Sequence, residues 1–398
     1  MRVLHWYPKY LGGGAVAGAV RGLARAQRAV GAEVMIAARR LGGATLYGER
    51  AGEGPAVQLW SPLRPLLARA CALGVATDDR QALRGFAPDV VHIHGELNPD
   101  NLVAARVFRV PLVISAHGGF HPRVLARGAR RSKAAYLALA RRMLYHRATF
   151  HALSPLEATD IARLLPDRPV YCAPQGPGPA DDESRPPEAR IDTGPVRLLF
   201  VGRLAVGEKG LDLLLAALAQ ARQHAARALT LTVVGPDRDG GLAALRSQCV
   251  QLGLAGTVVF TGSRTAAEVA ALYAEHDVYV QLSRNEGFGM SVAEALLAGL
   301  PALLSRCIGA AAWPAVAGCA QVRVVPPDAD AAAEALVRMV NDLPRLRVLA
   351  ISAHAGLRAF FDWKRVAGLH FARYAELVTA AKAPMPTALT RMTTGALG

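Results

Sequence analysis

Two carboxylates, Glu286 and Glu294, stand eight residues apart in the stretch Glu286-Gly287-Phe288-Gly289-Met290-Ser291-Val292-Ala293-Glu294. An apolar run, Val278-Tyr279-Val280, precedes them, and an amphipathic pattern from Ser291 to Ala298 predicts a helix. Glycines at a strand-to-helix turn let backbone N–H groups approach an anion closely. Glu286 lies before the helix and Glu294 one turn inside it, so one carboxylate can face each end of a bound ligand. A sugar at one end, a diphosphate over the helix start and a ribose at the other end suit that spacing.

A second constellation fits the same ligand. Gly202-Arg203-Leu204 through Lys209-Gly210-Leu211 follows the apolar run Leu198-Leu199-Phe200-Val201 and opens another helix pattern. Two cations six residues apart on one loop can clamp a diphosphate from two sides. His117 ends a third apolar run and precedes Gly118-Gly119, a placement suited to a cleft. Gly12-Gly13-Gly14 follows the first strand and can expose N–H groups at a helix start, although a tight turn without ligand satisfies the pattern equally.

Other groups have plainer readings. His92 and His94 alternate on one strand and share a face, but without a third ligand they read as buried, hydrogen-bonded histidines. Asp237-Arg238-Asp239 resembles a metal-binding D-x-D, yet reads as a solvated loop. No metal and no cofactor are expected.

The motifs together resemble those of retaining, nucleotide-sugar-dependent glycosyltransferases of the GT-B fold, a group that includes bacterial polysaccharide, lipopolysaccharide-core and phosphatidylinositol mannosyltransferases. Matching stretches include Gly12–Gly14, Asp89–His94, Ser115–Gly118, Phe200–Gly210, Val233–Gly235, Phe260–Gly262, Glu286–Glu294, Ala298–Pro301 and Phe361–Trp363. The resemblance implies that Arg203 and Lys209 bind the donor diphosphate, with Gly13, Gly14, Gly202 and Gly262 lining the donor site. Glu286 and the N–H groups of Gly287, Phe288, Gly289, Met290 and Ser291 would hold the sugar and phosphates. Glu294 would hold the ribose, and His117 would touch the sugar ring near the reacting carbon. The co-substrate implied is a UDP- or GDP-sugar. Two departures stand out. Gln175 replaces the family's usual Asn, and Ile308 to Pro314 intervenes where the family often shows Gly-Gly and Glu.

These residues need elements to position them. Strand-like and helix-like segments alternate through residues 1–178, pause over a Pro- and acid-rich linker at 179–195, and resume over 196–362. The expected class is α/β, two doubly wound Rossmann-like domains facing across a cleft. The first would bind acceptor and the second nucleotide sugar. A closing helix at 363–380 would cross back to the first domain, leaving a disordered tail at 381–398.

The bulk numbers narrow the setting. The chain has 398 residues, 52% of them hydrophobic, and no apolar run long enough to span a membrane. The start reads as a strand and not as a signal peptide. Five scattered cysteines suggest neither a disulfide framework nor zinc, and fit a reducing cytoplasm. The net charge of +15 is uneven: residues 1–178 hold 24 basic and 11 acidic residues, giving +13, against +2 for the remainder. That asymmetry points to one domain meeting an anionic partner. Nucleic acid is a poor candidate, because interleaved aromatics and any recognised module are missing. Arg130, Arg131, Arg141 and Arg142 fall on one broad helical face, opposite Tyr136, Ala140, Met143 and Leu144. They suggest a phosphorylated lipid acceptor or an anionic surface at the inner face of the plasma membrane. Glycans and small molecules remain open as acceptors. Two other functions share this build: a nucleotide-sugar epimerase, and a non-catalytic sugar-nucleotide-binding subunit.

Overall fold

The computed structural model describes residues 1–10, 14–39, 56–60, 85–178, 194–237 and 240–383. Gly12, Gly13, Arg238, Asp239, most of the expected linker and the expected tail lie outside these residues.

Two parallel sheets organise the chain. The first contains β1 (Arg2–Trp6), β2 (Glu33–Arg39), β3 (Ala56–Trp60), β4 (Val90–His94), β5 (Leu112–Ser115), β6 (Ala148–Ala152) and β7 (Val170–Cys172), in spatial order β3-β2-β1-β4-β5-β6-β7. The second contains β8 (Val196–Val201), β9 (Leu229–Val234), β10 (Val258–Gly262), β11 (Val278–Gln281), β12 (Ala302–Ser305) and β13 (Val322–Val325), in order β10-β9-β8-β11-β12-β13. The central strands are buried on both faces and read as continuous apolar runs, as helix-covered parallel sheets require. β7 and β13 are half-exposed edges, and they escape an apolar-run criterion for that reason.

In each sheet the strand order reverses once, between β1 and β4 and between β8 and β11. Loops leaving the carboxyl ends of such strands diverge and open a crevice. The sequence puts its chemistry there: Gly202–Gly210 follows β8, and Glu286–Gly289 follows β11.

The last helix, Trp363–Lys382, packs on the first, Ala15–Ala29, through Val366 and Ala367 against Leu23 and Ala26. Its Tyr374 joins the core formed by Val3, Ile36 and Val90. Trp363 wedges between Gly22 and Gly176, where an added Cβ would meet its ring at 2.5 Å in both cases. Its Nε1–H donates to the Pro177 carbonyl at 2.9 Å, tying the end of one domain to the exit of the other.

Candidate active site

The turn after β11 begins the site. Gly289 caps helix Met290–Leu297 at φ 96°, a backbone angle that suits glycine. The carbonyls of Glu286 and Phe288 accept from the N–H groups of Gly309 (2.9 Å) and Ala310 (2.7 Å), which anchors the turn from behind. The N–H groups of Phe288, Gly289, Met290 and Ser291 have no hydrogen-bond partner among the described residues. The Phe288 ring packs edge-on against Phe361 in the core, so only its backbone is available to a ligand. Four free donors at a helix start form an anion site by geometry and dipole together.

The β8 loop supplies countercharge. Gly210 adopts φ 63° and lies so close to β11's exit that a Cβ would sit 2.0 Å from the Leu282 carbonyl oxygen. This approach brings Lys209 onto Glu286, and the two are ion-paired. Gln281 also donates to Glu286 at 3.2 Å. Arg203 pairs with Glu208 at 3.4 Å, and Glu208 takes Arg127 of the first domain as well. Both loop cations therefore rest on carboxylates that an incoming diphosphate could displace. Gly202 lies beside Phe200 and the Lys209 stem, and Gly262, at φ 71°, receives the Gly235 N–H at 2.9 Å.

Glu294 accepts from the Tyr273 hydroxyl (3.1 Å) and from the Gly178 N–H (3.3 Å), and burial raises its pKa. Ser291 Oγ accepts from the Tyr279 hydroxyl at 2.8 Å.

The first domain meets this turn at His117-Gly118-Gly119. His117 holds φ 52°, rare for a residue with a side chain and a form of strain that concentrates at functional sites. Glu157 fixes the turn from below, its two oxygens accepting the N–H groups of Gly118 (2.5 Å) and Leu153 (2.7 Å). Burial pushes the Glu157 carboxyl up to about 7, and that of neighbouring Glu96 up to about 8. Across the cleft, a Cβ on Gly287 would lie 3.1 Å from the Gly118 nitrogen. Trp313 Nε1–H donates to the Leu153 carbonyl at 2.9 Å beside this contact.

Both ring nitrogens of His117 are occupied, Nε2 by His94 (3.1 Å) and Nδ1 by Gln175 (3.3 Å). His92 and His94 do acquire a third histidine, His5, which corrects the expectation from their strand alone. All six nitrogens of that trio are already hydrogen-bonded: His5 to His94 and Gln27, His92 to Tyr374 and Ser115, His94 to His5 and His117. The trio is a hydrogen-bonded core, and a cation would have to break several of these bonds.

Burial lowers the pKa of His5 and His151 to about 4 and of His117 to about 3, and holds His92, His94 and His370 well below the usual value. As pH falls below 6.5, the unfolded chain takes up protons that these rings refuse, so stability falls. Each ring contributes at most about 1.4 kcal/mol per pH unit. Glu96 and Glu157 act oppositely. Between 4.5 and their raised values they keep protons the unfolded chain has lost, so stability falls as pH rises. At pH 6.5 about three of six unfolded rings are still protonated, so the rings outweigh the two carboxyls up to about pH 7, and above it the carboxyls dominate. Melting temperature should therefore peak at about pH 7 and drop more steeply on the acid side. A melting temperature at pH 5 equal to that at pH 6.5 would contradict this.

Several expected residues make no hydrogen bond to this centre among the described residues. Gly14 caps the first helix at φ 87°. Asp237 accepts the Leu242 N–H at 3.0 Å within its own loop. Helix Arg130–Met143 exposes all four arginines and buries Ala140. The four have different neighbours: Arg130 and Arg131 line a cavity of about 580 Å³, whereas Arg141 donates to the Leu164 carbonyl at 2.8 Å beside another. Eleven residues separate the two pairs, about 16 Å along a helix. Glu157 and His5 went unnoticed in the sequence, and Gln175 was noted only as a departure from the family's Asn. Ser154-Pro155-Leu156-Glu157 carries capping-box spacing, and Ser154 Oγ accepts the Glu157 N–H at 3.2 Å. Histidines inside otherwise apolar strands were the signal for the buried cluster.

Comparison with known proteins agrees with this geometry. A family model described as "Glycosyltransferase Family 4" matches residues 12–201, and one described as "Glycosyl transferases group 1" matches residues 195–342. A glycogen synthase of Mycobacterium tuberculosis is 30% identical over 299 residues, covering 71% of this chain and 68% of the relative. The GDP-mannose:cellobiosyl-diphosphopolyprenol alpha-mannosyltransferase of Xanthomonas campestris is 28% identical over 295 residues, covering 72% and 70%. Among solved structures, sucrose-phosphate synthase from Thermosynechococcus elongatus superposes with a TM-score of 0.71 at 21% identity, covering 96% of this chain and 100% of that one. Anabaena Alr3699/HepE in complex with UDP and glucose gives 0.69 at 19%, covering 94% and 100%. The epimerase alternative finds no support in these relatives. Two parallel α/β domains, a helix-start anion site with cations beside it, and these matches assign the chain to the glycosyltransferases of the GT-B fold that use nucleotide sugars.

Proposed function

We propose that the protein is a retaining, metal-independent transferase that moves a sugar from a UDP- or GDP-sugar to an acceptor hydroxyl in glycan or glycolipid assembly. The observation that carries this reading is the turn of four unpartnered N–H groups beside a lysine parked on Glu286. In this reading the diphosphate enters that turn and draws Lys209 and Arg203 from their carboxylates. Glu286 then binds the sugar, Glu294 the ribose, and His117 the sugar ring near the reacting carbon. The clamp stabilises charge on the departing diphosphate, the main electrostatic demand of the reaction. The acceptor hydroxyl attacks from the same face, assisted by the leaving phosphate. The names of the relatives support both nucleotides, GDP in the Xanthomonas enzyme and UDP in the Anabaena complex. Thermal shifts with UDP, GDP, ADP and TDP test the reading, since a bound ligand raises apparent stability by mass action. No shift with any of the four at millimolar concentration would overturn it.

The acceptor would approach from the first domain. A cavity of about 310 Å³ lies between Gly118, Glu157, Glu286 and Arg306, and is lined further out by Asp160 and Arg163. The same two residues line the 580 Å³ cavity, whose walls include Phe120, Leu125 and Leu137 and whose rim carries Arg130 and Arg131. Apolar walls with a cationic rim favour an acceptor bearing phosphate and an aliphatic chain, met at an anionic membrane surface. No helix among the described residues is long and apolar enough to cross a membrane, so this reading places the enzyme peripherally at the inner face. Reversing Arg130 and Arg131 to glutamate should raise the acceptor KM about tenfold while nucleotide affinity stays within about twofold, because distant sites couple weakly. An unchanged acceptor KM would favour a small, uncharged acceptor.

A further inference from the structure

His5, His92, His94, His151 and His370 are buried where β1, β4 and β6 meet helix Trp363–Lys382, and His117 stands half-buried at the edge of this cluster. His92 and His94 stack at 4.2 Å between ring centres. Their hydrogen bonds form two chains, each with a fixed point of its own.

The fixed point of the first chain is the carbonyl of Ala173, which can only accept. His151 Nε2 lies 2.9 Å from it and must carry the proton. In a neutral ring Nδ1 then accepts, and its partner at 2.6 Å is the Ser115 hydroxyl, which donates. Ser115 Oγ next accepts from His92 Nε2–H at 2.6 Å, leaving His92 Nδ1 to accept the Tyr374 hydroxyl proton, also at 2.6 Å. The Tyr374 proton is thereby committed, and the first chain ends there. The second chain starts at Gln27, whose Oε1 can only accept and lies 2.8 Å from His5 Nε2, while its own Nε2 is buried without a hydrogen-bond partner. His5 therefore carries its proton on Nε2 and accepts at Nδ1 from His94 Nε2–H, 2.8 Å away. His94 Nδ1 accepts in turn from His117 Nε2–H at 3.1 Å. Gln175 Nε2 donates to the remaining nitrogen, His117 Nδ1, at 3.3 Å. Every link holds one proton. A second proton on His5, His94 or His117 would set N–H against N–H.

We propose that the second chain fixes His117 as the neutral tautomer protonated at Nε2, with Nδ1 offered as an acceptor beside the cleft, and that His94, His5 and Gln27 are its positioning residues. His117 so held supplies no proton through Nδ1. It accepts there, from Gln175 in the free enzyme and, on the sugar contact proposed above, from a sugar hydroxyl. The tautomer itself does not depend on that contact.

Two-bond ¹H–¹⁵N correlation spectra of the full-length enzyme labelled with ¹⁵N-histidine test this at pH 7.5. His117 is identified as the ring missing in His117→Asn. The expected pattern is a protonated Nε2 and a bare Nδ1. A proton on Nδ1, or a doubly protonated ring, overturns the proposal. Gln27→Leu leaves His5 Nε2 without an acceptor, so His117 should become a mixture of tautomers and kcat should fall about tenfold with the donor KM little changed. Tyr374→Phe, which touches only the first chain, should leave the His117 pattern as in wild type. An unchanged His117 pattern in folded Gln27→Leu overturns the relay, and if that variant does not fold the wild-type spectrum still decides the tautomer. A shifted tautomer with unchanged kcat would leave the network standing and remove the sugar contact.

Discussion

Lys209→Ala and Arg203→Ala are each expected to lower kcat/KM by about 100-fold or more, the scale for losing one group that stabilises transition-state charge. The two cations sit on one loop at the point where the second sheet reverses its strand order. Lys209 meets Glu286 and Arg203 meets Glu208, so neither is spent on packing alone. Lys209 has a further consequence, because it is mostly buried, with a side chain 13% exposed. Its removal leaves Glu286 with Gln281 as its remaining side-chain partner. Lys209→Ala should therefore cost more than Arg203→Ala, whose side chain is 43% exposed. The same contrast should persist in EDTA, since a cationic clamp makes a divalent ion unnecessary for the leaving group. Wild-type kinetics in both single variants would remove the clamp.

What could be read from the sequence follows the physics of burial. Central parallel strands declare themselves as apolar runs because helices cover both faces, so Leu198–Val201 and Val278–Val280 were plain. The edge strands Val170–Cys172 and Val322–Val325 are half wet and gave no such run. The donor loops were legible because glycine spacing and charge are local properties, and Gly210 and Gly289 do take left-handed backbone angles. Contacts between distant segments were not legible. Glu157 reaches Gly118 from 39 residues away, and Tyr374 reaches His92 across 282. A helical wheel likewise grouped Arg130 with Arg141, but it carries no information on what each guanidinium touches, and Arg141 is tied to a carbonyl of the next helix.

A contact of backbone on backbone between the two domains gives the second large effect. Gly287 of the donor turn lies on His117 and Gly118 of the first domain, and an added Cβ would meet backbone atoms of both at 3.1–3.2 Å. Backbone cannot rotate aside as a side chain can. Gly118 is held from below by the buried Glu157, and the donor turn is held from behind by Gly309 and Ala310. Gly287→Val should therefore wedge the cleft open without touching Lys209 or the free N–H groups of residues 288 to 291. A displacement of about 1 Å in the reacting geometry costs on the order of 100-fold in rate. The expected result is a kcat lower by about that factor, with nucleoside diphosphate affinity within about threefold of wild type, because the variant acts on domain approach more than on the phosphate site. Titration calorimetry and transfer assays on one preparation read both quantities. Equal losses of affinity and turnover would mean that the substitution has collapsed the donor turn itself. Unchanged turnover would mean that transfer does not need the two glycine turns in contact.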